Sequence, residues 1–296
     1  MIGRALADLG IISLCGLMLL GGVVPSRGEP ADPAGAATPA EAAIPYEVAV
    51  PPLPKDFPPP REYVCPKTAA PPRIDGALDD SAWEQAPWSE DFVDIEGPAK
   101  PAPTHRTRMK MLWDDHALYI AAEITEPNVW GTITEHDAVI FQDPDFEVFL
   151  DPDGDRLLYG ELELNPLNTT WDLLLPKPYN DGGQAINGWE IIGLRTATRV
   201  QGTLNDPRDR DTGWTVEIAW PWKGIKELTK QPLPPRPGDS QRINFSRVNW
   251  DVQTVEGKVV KIPQRPEHNW VWSPQGLINM HVPERWGRVK FAPASK

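Results

Sequence analysis

The chain has 296 residues, a formal net charge of −13, 35 prolines, 13 tryptophans and only 2 cysteines. The length fits one large domain or two small ones. So acidic a surface argues against nucleic acid and anionic membranes as partners, and so few cysteines leave the fold to its core rather than to disulfides.

Residues 1–28 read as a secretory signal: Arg4 gives a positive start, IISLCGLMLLGGVV an apolar core, and Ser26-Arg27-Gly28 small residues for cleavage. The apolar core is shorter than the ~20 residues that span a bilayer, so no membrane insertion is expected. Leu14 before Cys15 stands where a lipoprotein signal wants a small residue. The expectation is export, to the periplasm, the cell surface or the medium, without a lipid tail, leaving Cys65 as a lone thiol. Residues 29–61 are dominated by proline and alanine without an apolar period, as in an extended linker. Residues 62–293 are expected to form one folded domain.

Within that domain the pattern has period two. TRMKMLW (107–113), ALYIAAEI (117–124), FEVFLD (146–151), WTVEIAW (214–220) and RINFSRVNW (242–250) alternate and are rich in β-branched and aromatic residues, with Asp, Gly, Asn and Pro clusters between them. Short helices are expected at 79–86, capped by Asp79 or Asp80, and at 222–228. The fold class is all-β, an antiparallel β-sandwich of immunoglobulin-like or jelly-roll-like type.

The hairpin around DPDGD carries the functional signal. Phe146, Val148 and Leu150 share one face of the first strand, and Leu158, Leu162 and Leu164 one face of the second. Glu147 and Phe149, with Tyr159, Glu161, Glu163 and Asn165, share the opposite face. Two readings stay open: an ordinary exposed sheet face, or a sugar-binding face on which rings stack against pyranose CH groups and planar polar groups bond to hydroxyls. Asp151, Asp153 and Asp155 offer oxygens of the kind calcium takes, but not at EF-hand spacing, and Asp206, Asp209 and Asp211 form a second acidic loop. Either a structural calcium or plain turn chemistry accounts for them. No CxxC or HExxH spacing signals zinc, and no other cofactor is expected.

The order of motifs IDGALDDSAW (74–83), LWDDHALYIAAEI (112–124), DFEVFLDPDGD (145–155), ELELN (161–165), GWTVEIAWPWKGI (213–225), INFSRVNW (243–250) and WGRVKF (286–291) resembles carbohydrate-binding module family 9. The resemblance implies a β-sandwich that binds an oligo- or polysaccharide without catalysis, holds a terminal sugar between two tryptophans and carries structural calcium nearby. By position, Glu147 and Asn165 match polar residues of the family's site. Glu163 stands where a basic residue is expected and Arg247 where a glutamine is. Phe141 is nearest to the first stacking tryptophan and Met280 to the second, and Trp130, Trp270 and Trp272 are the loop tryptophans available to substitute. Two other functions compete. A glycoside hydrolase needs only two suitably spaced carboxylates. A haem-binding electron-transfer domain of similar fold would draw an axial ligand from Met280-His281.

Overall fold

Alternation along the strands decides what enters the core. The structure, a computed structural model, describes residues 50–294. The signal segment and most of the linker lie outside the described residues. The strands are β1 (Glu62–Lys67), β2 (Val93–Asp94), β3 (Thr107–Trp113), β4 (Ala117–Thr125), β5 (Phe146–Asp151), β6 (Tyr159–Leu164), β7 (Thr170–Leu175), β8 (Arg195–Gln201), β9 (Gly213–Pro221), β10 (Ser240–Asn249), β11 (Val252–Val255), β12 (Lys258–Lys261), β13 (His268–Val271) and β14 (Gly287–Ala294). A single hydrogen-bonded path runs β7-β6-β5-β10-β14-β1-β3-β4-β9-β8, with β13 and β2 attached beside β10. Neighbours pair antiparallel except around β1, which runs parallel to β14 and β3.

The path folds back on itself as a sandwich. Phe146, Val148 and Leu150 of β5, Leu162 and Leu164 of β6, and Ile243 and Phe245 of β10 pack against Met109, Met111, Leu118, Ile120, Val216 and Ile218 from β3, β4 and β9. β5 keeps the predicted parity. β6 differs at its start: Leu158 sits in a turn at φ 48° and is 42% exposed. Gly160 holds the inner position there instead, where a Cβ would lie 2.9 Å from Leu228 Cδ1 and 3.3 Å from the Trp220 ring.

The outer faces are covered too. Over β3, β4 and β9, the 74–86 segment lays Ala82, Trp83 and Ala86 on Leu112, Tyr119, Ala121 and Ala219. Its helical part is a 3-10 turn, Ser81–Gln85, and Asp80 does not cap it but accepts bonds from Arg73. The second predicted helix is present as α1 (Trp222–Ile225), followed by a 3-10 turn. The tryptophans are structural for the most part: all but Trp88 and Trp250 are buried. The end of the linker lies against the domain, with Arg285 Nη2 donating to the Pro51 carbonyl and Phe57 packed beside Gly97 and Gly276.

Candidate functional site

The outer face of β5 and β6 gathers carboxylates. Glu147 and Glu163 are direct cross-strand partners, and Glu161 stands opposite Phe149. Asp145, just before β5, completes the group. One carboxylate oxygen each from Asp145, Glu147 and Glu163 lie within 4.8 Å of one another. All four acids are at most 5% exposed. Few donors meet them: Glu163 Oε2 accepts the Phe141 N–H at 3.0 Å, and Asp145 Oδ1 accepts the Val248 N–H at 2.9 Å. Asp145 Oδ2 and Glu161 Oε2 have no hydrogen-bond partner. Arg247, a cation whose field reaches Asp145, is already paired with Glu126 at 2.7 Å.

Like charges crowded away from water hold on to their protons. Burial raises the Glu147 carboxyl to about 7. Burial and then the neighbouring carboxylates push Asp145, Glu161 and Glu163 well above the ordinary range. A protonated carboxyl donates as well as accepts, so near neutral pH this face offers both halves of the hydrogen bonds that a hydroxyl makes.

Aromatic and apolar side chains wall the acids. Phe149, Tyr159, Trp171, Met280 and Trp286 form one buried cluster with Ile140, joined by the half-buried Phe141 and Tyr179. The Tyr159 hydroxyl and His281 Nδ1 share a hydrogen bond of 2.9 Å, and the Tyr179 ring stands edge-on to His281 with centroids 4.5 Å apart. Burial depresses the His281 pKa to about 3, so its ring is neutral. Phe141 and Met280, the two positions expected to flank a ligand, meet in this wall although neither is a tryptophan.

A family model described as carbohydrate family 9 binding domain-like matches residues 74–290. The chain belongs to that family. A carbohydrate binding module family 9 from Caldicellulosiruptor kristjanssonii, in complex with cellotriose, has the same fold at a TM-score of 0.53 and 18% identity, covering 80% of this chain and 96% of that one. Its complex with glucose compares at 0.53 and 17%, covering 80% and 98%. Exoglucanase XynX of Acetivibrio thermocellus is 25% identical over 157 residues, which are 53% of this chain and 12% of that enzyme.

Within this family 9 domain, the residues singled out from the sequence divide into groups. Phe141, Glu147, Glu161 and Glu163 converge as described. Asn165 is at the edge and committed: its Nδ2 donates to Ile133 O and Asp143 Oδ2, and its Oδ1 accepts from Leu167 and Thr169. Asp143 in turn accepts from Thr132 and Ile133. The pair therefore anchors the loop that closes over the acids. Arg247 is not on this face. It shares parity with Ile243 and Phe245, so it points between the layers, where it donates to Thr107, Thr125, Glu126 and Asn249 and stacks on Trp270. Trp270 and Trp272 belong to the same inter-layer core, enclosed rather than displayed. Trp130 is 5% exposed, with Lys261 Nζ 5.9 Å from its ring. Asp145, Tyr159 and His281 join the site without having been singled out as carbohydrate contacts, His281 having been considered only as an axial haem ligand. Tyr159 was legible from strand parity, Asp145 from its place before β5, and His281 only through the packing of its loop.

The acidic turn is built as a turn. Asp151 Oδ1 accepts the Gly154 N–H at 2.8 Å and Oδ2 the Arg156 N–H at 3.0 Å. Asp155 Oδ1 accepts from Leu157, and Asp153 Oδ2 from the Thr229 hydroxyl. Calcium takes six to eight oxygens. One carboxylate oxygen from each of Asp151, Asp153 and Asp155 lies within 4.8 Å of the others and Asp153 Oδ1 is buried without a partner, so both the turn's own hydrogen bonds and a structural calcium are compatible with this arrangement.

Proposed function

We propose that this family 9 domain binds carbohydrate without catalysis, on the outer face of β5 to β7. The observation that carries the reading is the convergence of Glu147, Glu161 and Glu163 with Phe141, Phe149 and Tyr159 on one face. The rings supply flat apolar surface for pyranose CH groups, and the carboxyls supply donors and acceptors for hydroxyls. Phe141 and Tyr179, half-buried at the rim, are the parts of the wall a sugar meets first. The covering loop is pinned at Asn165 and Asp143 and, at Phe141, by bonds to Glu163 and from Trp250, so a sugar reaches the acids only when this loop is displaced. Cello-oligosaccharides are the first ligands to try, given the cellotriose bound by the relative from C. kristjanssonii. The protein is read as exported, with a polysaccharide as its partner.

Membership of a binding-module family favours binding over hydrolysis. Calorimetric titration of the full chain with a panel of oligosaccharides, beside a reducing-sugar assay, tests the reading. The expected result is saturable binding without turnover, lost in Phe141→Ala and weakened at least about tenfold in Glu161→Gln. Turnover abolished by a single carboxylate substitution would overturn it, as would binding indifferent to both variants.

A further inference from the structure

A second convergence of polar atoms lies apart from the acidic face. His136 is in the loop between β4 and β5, Asp172 is on the edge strand β7, and Glu190 is in the connection from β7 to β8. One ligand atom from each of the three lies within 4.8 Å of the others. His136 Nε2 is 3.1 Å from Glu190 Oε1, 3.4 Å from Asp137 Oδ1 and 3.9 Å from Asp172 Oδ1.

The other ring nitrogen, Nδ1, is 2.9 Å from the Thr170 carbonyl oxygen. A carbonyl only accepts, so Nδ1 carries a proton, and in the neutral ring the Nε2 lone pair faces the three carboxylates. Ligating imidazoles are typically oriented by such a bond from the far nitrogen. Two of the facing oxygens have no other use. Asp172 is 1% exposed; its Oδ2 accepts the Ile191 N–H, and its Oδ1 makes no hydrogen bond. Asp137 Oδ1 is also buried without a partner. Tetrahedral zinc, with bonds of about 2.0–2.1 Å, sets its ligand atoms about 3.3 Å apart. The separations around Nε2 straddle that value.

We infer that His136, Asp137, Asp172 and Glu190 form a binding site for a divalent transition-metal ion of the zinc class, which ties β7 to the loops on either side of it. Nitrogen among the donors selects zinc over calcium, which takes oxygen. Only His136 and Asp137 are neighbours in the sequence, and Asp172 and Glu190 come from separate segments, so no metal-ligand spacing announces the four together. The competitor for Nε2 is a proton. Metal affinity therefore grows with pH as that proton is displaced.

Chelator-stripped full chain titrated with zinc chloride by calorimetry, at pH 8 and pH 5.5, tests the site. The expected result is one equivalent bound at pH 8, more weakly at pH 5.5, with a higher Tm in the zinc-bound protein. His136→Ala, at a half-exposed position that leaves the core intact, weakens binding at least about tenfold, and Asp172→Asn does likewise. Asp153→Asn in the acidic turn leaves binding unchanged. Failure to bind zinc overturns the inference. So does zinc binding that survives His136→Ala, or that is lost in Asp153→Asn instead.

Discussion

Each outer face of the sandwich buries carboxylates beneath a covering segment, and the two faces treat them in opposite ways. On the β3–β4–β9 face, Glu217 is fully buried and met by donors from its own cover. Its Oε2 accepts the Asp75 and Gly76 N–H groups at 2.9 and 2.7 Å, and its Oε1 the Trp83 indole N–H at 2.6 Å. On the β5–β6 face, four acids meet two backbone N–H groups and the Ser246 hydroxyl opposite Glu147, beside a buried aromatic cluster. A buried carboxylate with its donors supplied is a fastening. A group of them with too few donors costs stability, and such costs gather where a ligand is to be met.

The largest effect expected from this contrast is at Glu217. Glu217→Ala strips two buried donors, the Gly76 N–H and the Trp83 indole, and the part-buried Asp75 N–H of their acceptor, and frees the 74–86 segment from β9. Unfolding free energy in urea should fall by about 3 kcal/mol or more, since each buried donor left unpaired costs about 1–3 kcal/mol. A loss under about 1 kcal/mol would mean that the cover is held by Trp83 packing alone and that the contrast is not electrostatic.

On the acidic face the sign should reverse. Glu147 has its pKa raised to about 7, and Asp145, Glu161 and Glu163 are also raised. In the folded chain these groups keep protons at pH values where the unfolded chain, near 4 for such carboxyls, has lost them. Their contribution to stability is therefore fully present below about pH 4 and is lost as pH rises through the folded values. Wild-type stability should fall between pH 5 and pH 8 by at least about 1.4 kcal/mol, the equivalent of one pKa unit for one group. Glu161→Gln, which removes a carboxylate oxygen that has no partner, should stabilise the chain by about 1 kcal/mol at pH 8 and hardly at pH 5. Denaturant curves at the two pH values check both statements. A flat profile, or a destabilised Glu161→Gln at pH 8, would show that the acids have found donors.

Much of this contrast was legible in the sequence because strand parity is a local property. Glu147, Glu161 and Glu163 fall on the outer face by counting in twos, and so does the leucine-rich core face. Arg247 shows how a positional match can override a signal already present, since its parity with Ile243 and Phe245 places it between the layers. Leu158 shows where counting ends: the strand begins one residue later, after a left-handed turn. The tryptophans were not legible, because the side a loop aromatic packs against is decided by how the loop docks. The partners of Glu217, and Asp172 and Glu190 beside His136, come from distant segments and have no signature in either sequence neighbourhood.

Trp88 offers the smallest effect and the sharpest discrimination between the faces. It is one of only two tryptophans not buried, and it lies against the β3 side, where a displayed ring would make that face a sugar platform instead. Its ring is already engaged: the Arg108 guanidinium lies 4.2 Å from the centroid and the Lys110 ammonium 4.4 Å. Two cations over one ring contribute about 0.5–1 kcal/mol each at a partly exposed site and cover surface that a pyranose would need. Trp88→Ala should therefore lower stability by about 1 kcal/mol and leave oligosaccharide affinity where it was. Phe141→Ala should do the reverse, with little change in stability and binding lost. Paired calorimetric titrations of the two variants decide between the faces, because a binding defect in Trp88→Ala with Phe141→Ala intact would move the ligand to the face whose carboxylate is already satisfied.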